Sequence, residues 1–68
     1  MITSLGTYKR ELGKFIREEE EGIIAYAKLI KALPATTEFD SIRQSIRRIA
    51  SDERDHVTIL KRLLAHVS

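Results

Sequence analysis

The 68-residue sequence predicts an all-α protein, a single antiparallel helical hairpin, and three observations lead there. Apolar residues recur at steps of three and four through most of the length. Proline occurs once, at Pro34, near the middle. Breaking and capping residues gather in the interior only around that proline, in the stretch PATTEFD at residues 34–40.

The first arm runs from about residue 4 to residue 33. Its seam is Leu5, Tyr8, Leu12, Phe15, Glu19, Gly22, Tyr26, Leu29 or Ile30, and Leu33, with Glu19 the one carboxylate on it. Gly6, Gly13 and Gly22 each cost a helix about 1 kcal/mol against alanine, so they mark weak first turns or a close helix contact. The turn is expected at about 34–37. The second arm, about 38–67, carries Ile42, Ile46, Ile49, Glu53, His56, Leu60, Leu63 and Val67 at steps alternating 4 and 3. Thr36 or Thr37 can offer the N-cap oxygen, and Glu38 and Asp40 suit the positive end of the helix dipole. So short a connection makes the arms antiparallel neighbours.

A single domain of 68 residues with no cysteine has no disulfide to support a small core. Each arm also carries apolar residues beside its seam, among them Ile23, Ile24, Ile30, Ile59 and Leu64. Two hairpins converging on a shared four-helix core would cover them, so a homodimer or a larger even-numbered oligomer is expected. The missing cysteines also exclude thiolate metal sites, iron–sulfur clusters and thiol catalysis. No apolar run approaches the roughly 20 residues of a membrane span, and residues 1–15 show no basic segment followed by an apolar one, so a cytoplasmic location is expected. The net charge is +2. Arg43, Arg47, Arg48, Arg54, Lys61 and Arg62 are expected on the outer face of the second arm. Asp52 and Asp55 are interleaved with them, which predicts a solvated surface and no nucleic-acid partner.

Glu19, Glu53 and His56 interrupt the two seams. Glu19 lies about 14 residues before the turn and Glu53 about 15 after it, so at 1.5 Å per residue both stand roughly 21 to 22 Å from it. Equal arms bring them level. Glu53 and His56, three apart, share one helix face, as a carboxylate and an imidazole holding one metal or adjacent metals require. Glu18, Glu20 and Glu21 belong to a solvated face, with Glu20 the alternative ligand if the helix is slightly rotated; His66 lies off the seam. Two hairpins would pool four carboxylates and two imidazoles, and two divalent cations would offset the four negative charges.

The pattern Glu19-x-x-Gly22-x-x-x-Tyr26, followed by Asp52-Glu53-x-x-His56, resembles one half of the ferritin-like di-iron carboxylate superfamily over roughly residues 12–67. Rubrerythrins and bacterioferritins carry two such hairpins in one polypeptide. Encapsulated ferritins carry one and complete the site between subunits, the organisation this sequence resembles more closely. The resemblance implies that Glu19 is a terminal ligand, Glu53 a bridging ligand and His56 a terminal nitrogen ligand, with the Tyr26 phenol just outside them as a proton or electron donor. It differs from the family in having Gly22 where alanine is usual. It also lacks rubredoxin-type cysteines, a docking peptide in residues 64–68, and the longer chain that a closed storage cage needs.

By this resemblance the chain is expected to oxidise Fe(II) with O₂ or peroxide at a site formed between two subunits. Two Fe ions per dimer are expected, the ligand set suiting Mn as well. The expected location is cytoplasmic, either free or inside a protein compartment. The rival expectation is a metal-stabilised helical oligomerisation module without turnover. A metal-free adaptor is disfavoured, because one imidazolium per hairpin cannot neutralise two buried carboxylates.

Overall fold

The computed structural model describes residues 4–67; residues 1–3 and 68, included in the expected domain, lie outside the described residues. Two α-helices of 28 residues each, α1 (Leu5–Ala32) and α2 (Asp40–Val67), make up almost all of it. Between them stands one 3₁₀ turn, Thr37–Phe39. Ser4 opens α1 from an extended backbone, its Oγ accepting a 3.2 Å hydrogen bond from the Thr7 N–H. At the other end, Pro34 forces the residue before it out of helical geometry. Leu33 is accordingly extended (φ −70°, ψ 141°), while its N–H still reaches the carbonyls of Leu29 and Ile30.

The turn is closed differently from the sequence expectation. Thr36 flanks the 3₁₀ turn without a side-chain hydrogen bond, and α2 begins at Asp40. Arg43 does the fastening. It donates to Asp40 Oδ1 at 2.8 Å and to the Pro34 carbonyl oxygen, joining the first turn of α2 to the start of the loop. Its side chain is only 14% exposed, so Arg43 does not belong to the outer basic face where the sequence placed it.

The helices run antiparallel: Glu20 pairs with Lys61, whereas Ala27, further along α1, shares a groove with Arg47, earlier on α2. The structure is a rod of 51 × 17 × 15 Å. Its core is Leu12 and Ile16 of α1 against Ile46, Ala50 and Val57 of α2. Leu12 and Ile46 are seam residues; Ile16, Ala50 and Val57 lie one step beside the seam. Phe15, Ile42, Ile49, His56 and Leu63, expected on the shared seam, are exposed in the hairpin. A stripe about 100° wide is broader than one helix–helix contact, so the partner helix covers one edge and leaves the other open. Ile42, Ile49, His56 and Leu63 fall seven residues apart along that open edge.

Ile24, nine residues from Phe15, points about half a turn away from it and is also exposed. Ile16→Ala, which opens a cavity between the helices, is expected to lower unfolding stability in urea by about 2–3 kcal/mol. Ile24→Ala is expected to stay within about 0.5 kcal/mol of the parent. Equal losses in the two variants would show that the core is misplaced.

Candidate metal centre

Glu19 and Glu53 occupy corresponding heights because each stands at the middle of its helix. Glu19 is the fifteenth of 28 residues in α1 and Glu53 the fourteenth of 28 in α2. His56 follows Glu53 by one turn, on the open edge of α2. One ligand atom from each of the three lies within 4.8 Å of the others. His56 Nδ1 is 3.8 Å from Glu19 Oε2, a separation longer than a hydrogen bond.

Burial differs among the three. Glu19 and Glu53 are half-buried, while the His56 side chain is 56% exposed. Glu19 Oε2 itself is sealed from solvent and has no hydrogen-bond partner. A carboxylate oxygen removed from water without a donor carries a desolvation cost of about 1–3 kcal/mol or more, which a cation would relieve. Bonds of about 2.0–2.2 Å to a transition metal hold two ligand atoms roughly 3–4 Å apart, so the observed span needs only side-chain adjustment. Two carboxylates and one imidazole are the donors that Fe(II) and Mn(II) accept. The residues therefore fit a metal ion.

The surroundings were only partly foreseen. Glu20, the alternative ligand, pairs across the hairpin with Lys61 Nζ at 3.4 Å. It is not among the clustered atoms. Tyr26 is half-buried and also outside the cluster, seven residues from Glu19 and so about 10 Å along α1. Beside the ligands a shallow depression of about 270 Å³ is walled by Phe15, Ile59 and Leu60 together with Glu19 and His56. Ile59 was legible only as surplus apolar surface; its place beside His56 follows from their i, i+3 spacing.

Gly22 brings the backbone of α1 beside Glu53. Its backbone is helical, and a Cβ built there would stand 3.8 Å from Glu53 Oε2, an ordinary contact. Close approach is thus present, but alanine also fits. Among the described residues no helix is long and apolar enough to cross a membrane. Comparison with protein-family models, curated proteins and solved structures finds no match to this chain.

Gly22→Ala is expected to raise stability by up to about 1 kcal/mol, through helix propensity, with metal uptake unchanged. Thermal denaturation with and without metal checks it. A loss of metal binding would mean that the ligands need more room than a Cβ leaves.

Proposed function

We propose that two copies of this hairpin pack open edge to open edge into a four-helix bundle. In that bundle Glu19, Glu53 and His56 of both chains hold two Fe(II) ions as substrate for oxidation by O₂ or peroxide. The observation that carries this reading is the convergence of three ligand atoms within 4.8 Å around an orphaned, sealed carboxylate oxygen. Two further features support it. Phe15, Leu29, Ile42, Ile49, Ile59 and Leu63 leave apolar surface uncovered along the rod. The cluster also stands at mid-length, so a two-fold partner can meet it at the same height with its own.

Four carboxylates would match the four positive charges of two Fe(II), leaving the imidazoles neutral donors. Hard carboxylate oxygens favour the ferric state over the ferrous, which helps to draw one electron from each ion. With O₂ the two electrons and two protons leave as hydrogen peroxide. With peroxide the O–O bond breaks, and two electrons and two protons give two waters. His56, exposed in the single hairpin, is assigned the terminal nitrogen ligand that the packed edges enclose. Tyr26 stands further along the same row of α1 and is assigned proton or electron supply to reduced oxygen. The ferritin-like resemblance of Glu19, Gly22, Tyr26, Asp52, Glu53 and His56 points the same way. A cytoplasmic setting suits Fe(II) supply.

Glu53→Ala is expected to abolish stoichiometric iron uptake and the iron-oxidation signal after oxygen is admitted. Tyr26→Phe is expected to keep the metal and slow the oxidation. Full-rate oxidation by Glu53→Ala would refute the site. Should the parent protein bind metal and lose thermal stability on chelation, yet oxidise no iron, it is a metal-stabilised oligomerisation module instead.

A further inference from the structure

The hairpin has a second groove, on the side opposite the carboxylates. It is about 390 Å³ in volume and is lined by Ala27, Ile30 and Lys31 of α1 and by Arg47, Ala50 and Arg54 of α2. Small side chains at Ala27 and Ala50 leave it open, and its three ionisable wall residues are all cations. Their neighbours are committed elsewhere: Arg43 holds Asp40 and the Pro34 carbonyl, and Lys61 holds Glu20. Lys31, Arg47 and the Arg54 guanidinium have no ion-pair or hydrogen-bond partner among the described residues.

We propose that this groove binds a short, linear phosphate-bearing anion with more than one phosphoryl group. Three unpaired cations around one concavity repel one another until an anion joins them, and guanidinium groups pair with phosphate oxygens in bidentate fashion. Arg47 and Arg54 are two turns apart, about 10 Å along α2, so an extended anion spans them better than a single phosphate does. The Lys61–Glu20 pair lies about two turns beyond the groove along the helices, and Asp52 and Asp55 stand on the outer surface of α2, turned away from it. Those charges disfavour a long nucleic-acid strand but leave a short anion unopposed. The inference is independent of the proposed iron chemistry, because packing through the open edge leaves this groove on the outside of the bundle.

The test is calorimetric titration of the full chain with tripolyphosphate, in chelator so that no metal competes for the probe. One site per chain is expected. Arg47→Gln with Arg54→Gln should weaken binding at least about 10-fold, as expected when charge-assisted bonds are lost. Arg48→Gln with Arg62→Gln, which removes the same charge from the helix outside the groove, should change it less than about 2-fold. Circular dichroism confirms that both variants fold. Three results would each overturn the assignment: no binding by the parent at millimolar probe, equal weakening in the two double variants, or tighter binding of a single-stranded oligonucleotide than of tripolyphosphate.

Discussion

A negative charge on a seam that should be apolar is the constraint around which this small protein is organised. Glu19 and Glu53 stand at the waist of a two-helix rod, and one oxygen of Glu19 is closed off from water with no donor to meet it. Lysine and arginine, the usual neutralisers, are placed elsewhere. Lys61 goes to Glu20, Arg43 to the turn, and His56 approaches only to 3.8 Å. An uncompensated carboxylate in such a place is costly, and a bound cation is the counter-charge that all three donors can share.

The rod itself is short of interior. Among the described residues five are buried, and no large side chain is fully enclosed. Several of the uncovered apolar residues line up with the ligands, although Ile24 points the other way. Ile42, Ile49 and Leu63 share the row of His56, while Phe15 flanks Glu19 by one turn. Charge and apolar surface therefore meet on one edge, so an association that covers the apolar row also closes the ligands off from solvent. The groove on the far side is lined by small residues and unpaired cations. The two grooves of one helix pair thus have opposite chemistry, which the near-neutral net charge of +2 conceals.

Much of this was legible in the sequence. The three-and-four spacing identified both helices, Pro34 located the turn, and equal arm lengths predicted that Glu19 and Glu53 would meet. What escaped was rotational. Periodicity defines a stripe without saying which edge faces the partner helix, so Ile16, Ala50 and Val57 were missed as core, and Phe15 and Ile49 were assigned to it. Arg43 was misplaced because its partner, the Pro34 carbonyl, is a backbone atom that side-chain pattern does not reveal. Thr36 and Thr37 are both acceptable caps by type, but Thr36 flanks the 3₁₀ turn, Thr37 opens it, and α2 begins only at Asp40. Arg47 and Arg54 read as solvated because acids stand near them in the chain, although helical geometry turns those acids away from the groove.

The central claim is that Glu19, Glu53 and His56 bind metal as part of a pair of chains. It is tested most directly by elemental analysis of protein loaded anaerobically with Fe(II), with native mass recorded on the same sample. Two irons in a species of twice the chain mass are the predicted result. An intact dimer with no stoichiometric metal would contradict the account, leaving two half-buried carboxylates per chain without the counter-charge assigned to them.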